Sequence, residues 1–270
     1  MRMKLRGRDL SISRLNSSME LKMFDVFFLS YGEPNADENF EQLKRKAPHA
    51  QRVEGIAGIH NAHKHCAELS TTDMFYVVDG DCYIKDDFTF KYSGFNKDSI
   101  YIWRAQDPIY GVSTNFGCIK IFSKNIIEGN NVKLNSFSNL KYWKTGNPLD
   151  YVMNLINFSD APLIEFKEVA SEHRYNTSPY QTWSTIFRMF IKQRIKKSIN
   201  YPNASKSLPK LFSRITSDAD HAWYAKHGAL DAEDFYQKNK ENLDNFAVIN
   251  DYGVMREMFN SNYEFKIIKS

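Results

Sequence analysis

The sequence has few cysteines. Its 270 residues include three, Cys66, Cys82 and Cys118, and no two of them form a CxxC pair. Disulfide frameworks and zinc sites usually show an even number of cysteines or close, regular spacing. The sequence therefore favours buried free thiols over a disulfide framework or a zinc site, and it gives no support to redox chemistry.

Long apolar runs are also missing. No segment approaches the roughly 20 consecutive apolar residues that are needed to cross a bilayer. The first residues, MRMKLRGRDLSISR, are basic but lack the apolar segment of a secretory signal. We therefore expect a soluble cytoplasmic protein with no membrane partner.

Acidic residues are absent from one basic stretch of the chain. The net charge is +4, but the 27 residues from Arg188 to Arg214 contain eight lysines and arginines and no acid. Residues 215–270 contain ten acids and six bases, and residues 1–22 contain six bases and two acids. A basic run is either a solvated helix face or a surface that attracts a polyanion such as nucleic acid.

Apolar segments in the first third have the composition of buried strands. FDVFFLS (residues 24–30) and DMFYVVD (residues 73–79) are nearly continuous apolar runs, a pattern typical of strands covered on both faces. Between them, ENFEQLKRKA predicts a helix, QRVEGIAGI a short strand and HNAHKHCAELSTT a second helix. Parallel strands need connections of this length. We predict an α/β fold with a Rossmann-like sheet flanked by helices.

The pattern changes after Asp81. SIYIWRAQD, NFGCIKIFS and APLIEFKEVASEHRY predict further strands, so the sheet is expected to be mixed. From Pro179 onward the chain predicts helices, the first with a long apolar stripe along one side. The predicted organisation is a basic N-terminal arm over residues 1–22, an α/β domain over 23–179 and a helical C-terminal subdomain over 180–270.

Two aspartates directly follow the strand predicted at residues 73–79. Side chains two residues apart in an extended chain point the same way, so Asp79 and Asp81 can share a divalent cation, and Gly80 lets the backbone approach a phosphate. Ligands of doubly wound sheets bind at the carboxyl ends of the strands. The letters DGD also occur in ordinary turns. Their position after a buried strand is what indicates a site.

These residues carry a resemblance. GIHNAHKHCAELSTTDMFYVVDGDCYI resembles the GT-A nucleotide-sugar glycosyltransferases, in which an Asn-containing helix and a hydrophobic strand precede a DxD motif. DVFFLSYGEPNADENFEQLKRKAPHAQRVEG, the DGD stretch and EHRYNTSPYQTW are similar to a glycosyltransferase-like family encoded by tailed bacteriophages. The resemblance runs from Phe24 to Phe190. It implies a GT-A-like catalytic domain that transfers a sugar from a nucleoside-diphosphate sugar, UDP-linked, to a hydroxyl.

The resemblance implies which residues bind the sugar nucleotide. In the GT-A family the loop after the first strand holds the base and the ribose, so that Tyr31 would stack on the base. An ordinary aromatic on a surface loop is an equally good interpretation of Tyr31. The Asn-bearing helix would face the phosphates. The implied nucleotide-sugar ligands are Ser30, Tyr31, Glu33, Asn61, Lys64, Asp79 and Arg188.

The resemblance also implies a metal site. Its ligands would be Asp79, Asp81 and His173, because several GT-A families add a late histidine to the DxD aspartates. Oxygen ligands favour Mn²⁺ or Mg²⁺ over zinc. A lone histidine such as His173 is also often a hydrogen-bonded structural residue. The histidines of HNAHKH also suggest metal ligands, but a solvated helix face is at least as good an interpretation of them.

An inverting transferase needs a carboxylate that deprotonates the acceptor hydroxyl. Asp150 in TGNPLDYVM fits the expected place near a helix start, and Asp107 in WRAQD is the second candidate. An aspartate in a first turn is also ordinary compensation of the helix dipole. The sequence departs from the common inverting pattern because the predicted α/β domain, residues 23–179, contains no adjacent Glu-Asp pair.

The phage family implies a hydroxymethylated pyrimidine in double-stranded DNA, or a sugar already attached to one, as the acceptor in the host cytoplasm. The basic segment would then contact DNA phosphates through Arg194, Lys196 and Lys197. A protein or glycan acceptor stays open as an alternative. A nucleotidyltransferase is weakened because SYGEPNADEN, after the first strand, has a single glycine. A hydrolase also stays open, whereas a non-catalytic DNA-binding protein leaves the DGD motif unexplained.

Overall fold

The computed structural model describes residues 23–56, 58–91, 95–114, 118–128, 161–198, 213–215 and 218–267. The strands are β1 (Asp25–Ser30), β2 (Gln51–Glu54), β3 (Met74–Asp79), β4 (Cys82–Ile84), β5 (Ile100–Gln106), β6 (Ser113–Thr114), β7 (Ile119–Ser123) and β8 (Leu163–His173). The helices are α1 (Ala36–Lys46), α2 (Ile59–Leu69), α3 (Lys124–Glu128), α4 (Pro179–Ser198), α5 (Ala222–Asn239), a 3-10 helix (Leu243–Asn250) and α6 (Tyr252–Ile267).

The described strands form one mixed sheet in the order β2-β1-β3-β7-β5-β8-β4, with β6 paired to β5. β1 is parallel to β2 and β3, and β5 is parallel to β8. β7 runs antiparallel to both β3 and β5, and β4 runs antiparallel to β8. The predicted α/β class and the predicted mixed sheet are therefore confirmed.

The apolar strands are buried on both faces, as their composition predicts. Val26 and Phe28 of β1 pack into a core on the face of α1, while Phe27 and Leu29 pack into a second core with α2. Successive strand residues point to opposite faces. A strand between two layers of helices therefore has to be apolar at nearly every position.

The directions of the strands bring the ends of many of them to one edge of the sheet. β1, β2, β3, β5 and β8 all end there, and the antiparallel strands β4 and β7 begin there. We call this edge the site edge. Because β1 pairs with β2 on one side and β3 on the other, the connection reverses direction between β1 and β3, which makes that place a topological switch point.

The C-terminal helices have a core of their own. The stripe predicted on α4 is buried, with Trp183 and Phe187 fully enclosed, and it packs against α5 and α6. A Cβ on Gly228 of α5 would lie 2.6 Å from the backbone oxygen of Trp183, so α4 and α5 approach closely at that residue. The core also includes Ile109 and Tyr175 from the sheet region.

The segment SDADH before α5 provides no side-chain cap at the residue that precedes the helix. The residue before the helix is His221, which has a φ of 59° and whose side chain makes no capping hydrogen bond. Backbone hydrogen bonds replace the side-chain cap, since the Ala222 N–H donates to the Ala219 carbonyl oxygen.

Within the described part of the chain, no helix combines the length and the apolar composition that a membrane span requires.

Candidate functional site

The turn after β3 is held by buried contacts from β1 and α1. A Cβ on Gly80 would lie 2.7 Å from the Leu29 carbonyl oxygen and 2.8 Å from Oε2 of Glu33. The buried amide of Asn39 donates to the Gly80 carbonyl oxygen at 2.9 Å. Gly80 is thus required by the packing of its own chain, whereas the sequence suggested only the approach of a phosphate.

The first aspartate of the DGD motif is paired within the protein. Nζ of Lys120, on the neighbouring strand β7, donates to both carboxylate oxygens of Asp79 at 2.6 and 2.7 Å. The Lys120 side chain is 4% exposed and that of Asp79 28%. Burial raises the pKa of the Asp79 carboxyl, and the Lys120 ammonium opposes that rise. Asp79 therefore neutralises a buried lysine.

The second aspartate lies in a different environment. The carboxylate of Asp81 lies with the thiol of Cys118 and the imidazole of His173, and one ligand atom from each lies within 4.8 Å of the others. Sγ of Cys118 is 3.2 Å from Nδ1 of His173. Cys118 directly precedes β7 and His173 ends β8, so the mixed sheet brings them together at the site edge. These three groups are called the cluster below.

The ionisable groups of the cluster change one another's pKa values. Burial raises the pKa of the Cys118 thiol well above its usual value, with a further rise from the neighbouring Cys82 and an opposing effect from His173. Burial lowers the pKa of His173, but Cys118, Asp81 and Asp107 outweigh that effect and raise it to about 10. The carboxylates of Asp81 and Asp107 therefore favour a positive charge on the imidazole.

A third carboxylate faces the DGD turn. Oε2 of Glu33, in the loop after β1, accepts a hydrogen bond from the Tyr31 N–H at 2.7 Å. Burial raises the pKa of Glu33, and the Tyr31 N–H opposes that rise, while Asp81 and Asp79 add to it. Three carboxylates therefore lie around the switch point between β1 and β3.

Ser30 and Tyr31, the other loop residues assigned to the nucleotide, have partners within the protein. Ser30 is buried, and its Oγ accepts a hydrogen bond from Nε of Arg52 at 2.9 Å. The ring of Tyr31 stacks on Tyr252 of α6, with ring centroids 4.9 Å apart and an interplanar angle of 30°. Both tyrosines remain exposed by more than a third.

Arg188 reaches the same aromatic pair from α4. Its guanidinium lies 5.0 Å from the ring centroid of Tyr252, and one Nη donates to Asn250 at 3.3 Å. Its Nε is buried and forms no hydrogen bond with a described residue. The structure therefore brings Arg188 and Tyr31 to one place, with Tyr252 between them, although the two residues are far apart in sequence.

Asn61 and Lys64 lie near the start of α2, whose amino end follows β2 at the site edge. Both are exposed. The Asn61 amide folds back towards Gly58, since a Cβ there would lie 3.4 Å from Nδ2. An amide and an ammonium at a helix amino end are suited to an anion.

The two expected catalytic acids have different outcomes. Asp150 lies outside the described residues. Asp107 is 2% exposed, and its carboxylate accepts hydrogen bonds from the N–H groups of Ile109 and Tyr110 and from the hydroxyl of Tyr175. Burial raises the pKa of Asp107, and these donors oppose that rise. Because Asp107 holds a buried turn, it does not fit the expected role of an acceptor-side base.

The expected DNA contacts are only partly described. Arg194 forms an ion pair with Glu233 of α5, so its charge is neutralised within the protein. Lys197 is exposed at the end of α4. Lys196 lies in the same helix, but its side chain is outside the described residues, as is most of the basic segment. Arg194 therefore does not provide the free phosphate contact that the sequence suggested.

Four residues that hold or form this region were missed. Cys118 and Lys120 lie in a segment interpreted only as a strand, Asn39 lies in one interpreted only as a helix, and Asn35 lies just before that helix. The Asn35 amide donates to the Arg174 carbonyl oxygen at 3.0 Å, beside His173. The signal for the asparagines was their spacing of four, which puts both on one helix face next to buried residues. Cys118 and Lys120 had no comparable signal.

Three comparisons with known proteins give limited similarity. No family model matches the chain, and no curated protein matches it. The chain is similar in structure to a glycosyltransferase involved in the glycosylation of the major capsid of PBCV-1, with 12% identity, a TM-score of 0.33, and coverage of 55% of this chain and 93% of that one.

Two further solved structures show the same level of similarity. HddC from Yersinia pseudotuberculosis has 16% identity, a TM-score of 0.30, and coverage of 53% of this chain and 90% of that one. The glycosyltransferase GlyE of Streptococcus pneumoniae TIGR4 has 12% identity, a TM-score of 0.35, and coverage of 80% and 64%. Similarity at this level identifies neither a reaction nor a substrate, so function has to be argued from the residues of this chain.

Proposed function

We propose that this protein is a metal-dependent glycosyltransferase that uses a nucleoside-diphosphate sugar. The observation that carries the proposal is the meeting of Asp81 and His173 at the switch point between β1 and β3, beside Glu33. Sheets of this kind bind ligands in the crevice outside the carboxyl ends of their strands. The motif resemblance supports the choice of a sugar nucleotide.

Charge explains why a cation is needed. Glu33 and Asp81 both face the crevice, and their mutual repulsion contributes to the raised pKa of Glu33. A diphosphate would add further negative charge to that crevice. A divalent cation between Asp81, His173 and the diphosphate removes the repulsion, and it stabilises the nucleoside diphosphate as a leaving group. The resemblance implies Mn²⁺ or Mg²⁺ for this role.

The rest of the donor site follows from the surrounding side chains. The exposed faces of Tyr31 and Tyr252 offer a stacking surface for a base such as uracil. Arg188 contributes a guanidinium beside them. Lys64 and Asn61 at the start of α2 are suited to the phosphates. Asp79 is assigned to the pair with Lys120 and not to the cation.

For the acceptor, we propose a hydroxymethylated pyrimidine in double-stranded DNA or a sugar attached to one. The support is the phage-family resemblance together with the excess of basic residues between Arg188 and Arg214. Phosphate contacts of that kind position a duplex without reading its sequence. Asp150 is kept as the proposed base of an inverting reaction.

Isothermal titration with UDP, with and without Mn²⁺, tests the donor proposal. We expect binding that depends on Mn²⁺ and that Asp81→Asn weakens by about 100-fold or more, because a lost ligand costs at least as much as a lost outer-shell partner. Asp86→Asn is the matched control, since the Asp86 side chain is 98% exposed and lies close in sequence. If UDP binds equally well without metal, or not at all, the proposal is wrong.

A further inference from the structure

The third member of the cluster is a thiol, which the proposed function does not use. Cys118 is fully buried and free. Its sulfur lies 3.2 Å from Nδ1 of His173 and within 4.8 Å of the Asp81 carboxylate. A cation held by Asp81 and His173 would therefore also meet the sulfur.

We propose that Asp81, Cys118 and His173 form a three-ligand site for Zn²⁺, in which the Cys118 thiolate gives zinc preference over Mn²⁺ and Mg²⁺. One oxygen, one nitrogen and one sulfur ligand is a donor set that zinc accepts readily, whereas Mg²⁺ and Mn²⁺ favour oxygen. The site thus takes a different metal from the one that a DxD motif suggests.

The backbone holds the three ligands in place without a metal. The Asp79 N–H donates to the Cys118 carbonyl oxygen at 3.0 Å, which fixes the residue before β7 against the end of β3. Cys82 of β4 pairs with His173 of β8, and the Arg174 N–H donates to the Asp81 carbonyl oxygen at 2.6 Å. Each ligand is therefore attached to the end of a hydrogen-bonded strand.

The distances fit a zinc ion. Tetrahedral bonds of about 2.3 Å to sulfur and about 2.0 Å to nitrogen place these two atoms about 3.5 Å apart. The observed separation of 3.2 Å between Sγ and Nδ1 requires only a small adjustment.

Three protein ligands leave the fourth position of a tetrahedral ion open. Sites with an open position are typical of catalysis, while structural zinc sites use four protein ligands. Asp79 does not fill that position, because both of its oxygens bind Lys120. If the proposed function holds, an oxygen of the donor diphosphate takes the open position, and this is the one part of the inference that rests on it.

Cobalt is a spectroscopic probe for the sulfur ligand. Titration of the full chain with Co²⁺ should give the near-ultraviolet absorption of a thiolate-to-cobalt bond and tetrahedral visible bands. Cys118→Ser should remove the thiolate band and weaken Zn²⁺ binding, measured by competition with a chromogenic chelator, by about 10-fold to 100-fold. Cys66→Ser is the matched control, because that thiol is buried in the α2 core. Its spectrum and zinc affinity should equal those of the wild type.

X-ray absorption of the zinc-loaded wild type gives an answer that does not depend on how the variants fold. The expected result is one sulfur neighbour at about 2.3 Å, with nitrogen and oxygen neighbours at about 2.0 Å. A zinc environment without sulfur overturns the inference, and so does a thiolate band that persists in Cys118→Ser. A wild-type protein that binds Mn²⁺ as tightly as Zn²⁺ also overturns it.

These results are separable from those for the proposed function. If zinc binds through sulfur but UDP does not bind under any metal condition, the zinc site stands and the glycosyltransferase proposal fails. If UDP binds with Mn²⁺ and zinc shows no sulfur neighbour, the reverse holds. Both measurements use the same purified full chain, so the two conclusions are reached under the same conditions.

Discussion

The site edge and the C-terminal helices use charged residues in opposite ways. In the helices, charges pair at the surface, as Lys238 does with Asp234 one turn away, both with side chains more than 60% exposed. At the site edge, one pair, Asp79 and Lys120, is largely buried, and the carboxylate of Asp81 next to it forms no hydrogen bond or ion pair with a described residue. The helices contain exposed ion pairs, while the site edge combines a buried pair with one available acid.

This difference explains why one charge pattern in the sequence indicates a binding site better than the other. The basic run from Arg188 to Arg214 suggested a polyanion surface, but Arg194 is paired with Glu233 in the acidic region that follows it. A charge run says little about a surface when the opposite charges lie elsewhere in the chain. The DGD motif is more informative, because strand geometry limits where its side chains can point.

The largest expected effect is on stability and separates the buried pair from the exposed one. Asp79→Asn leaves the Lys120 ammonium buried without a counter-charge, and we expect the free energy of unfolding to fall by about 3 kcal/mol. Asp234→Asn is the matched change in the helices and should cost no more than about 0.5 kcal/mol. Urea unfolding followed by circular dichroism measures both.

A double variant sharpens this result. Asp79→Leu combined with Lys120→Met replaces the pair with apolar groups and should recover most of the lost stability, because neither charge remains buried alone. If Asp79→Asn costs no more than Asp234→Asn, the pair is not a structural element. Asp79 would then be available for the role that the sequence suggested.

Two glycines give the next comparison. A Cβ added to Gly80 at the site edge, or to Gly228 in α5, would lie less than 3 Å from a backbone oxygen. We expect either Gly→Ala variant to lower the free energy of unfolding by about 1–3 kcal/mol. Only Gly80→Ala should also weaken Mn²⁺-dependent UDP binding by isothermal titration, because the added methyl group displaces Glu33. Equal binding by both variants would contradict the placement of the donor site.

The aromatic pair tests the contact between the two regions. Tyr252→Ala removes the ring that stacks on Tyr31, and we expect UDP affinity to fall by about 10-fold, since stacking on a base contributes roughly 1–3 kcal/mol. Trp223→Ala is the control, because Trp223 stacks on His227 elsewhere on the helices and is 50% exposed. A loss of affinity in both variants would point to a general effect of the helices.

Most of the fold could be predicted from the sequence where burial was extreme. β1 and β3 are apolar at nearly every position, and α4 is apolar along one full stripe. These patterns indicated the type of each element. β4 and β6, of three and two residues, are too short to show a period. Strand order depends on pairing between distant segments, and one sequence does not encode that order in its local pattern.

The site could be predicted only where its residues follow strands. Asp81 and His173 each stand at a strand end, which made them candidates, and the structure brings them together. Lys120 alternates with apolar residues in IKIFS and has the pattern of a surface lysine. Its partner Asp79 lies 41 residues earlier on a neighbouring strand. Cys118 has the pattern of a core residue, and only the mixed sheet puts it beside His173.

The smallest expected effect concerns the basic segment itself. Lys197 is exposed at the end of α4, whereas Arg194 is neutralised by Glu233, so the two should contribute differently to DNA binding. With double-stranded DNA at several salt concentrations, Lys197→Glu should weaken binding and flatten the slope of log K against log salt by about 0.9 if one phosphate contact is lost. Lys240 is another exposed lysine in the helical region, and Lys240→Glu should leave that slope unchanged.

If Lys197→Glu and Lys240→Glu have the same effect, general charge and not a defined surface governs the binding. If neither alters it, this end of α4 does not contact DNA, and a protein or glycan acceptor becomes the better proposal.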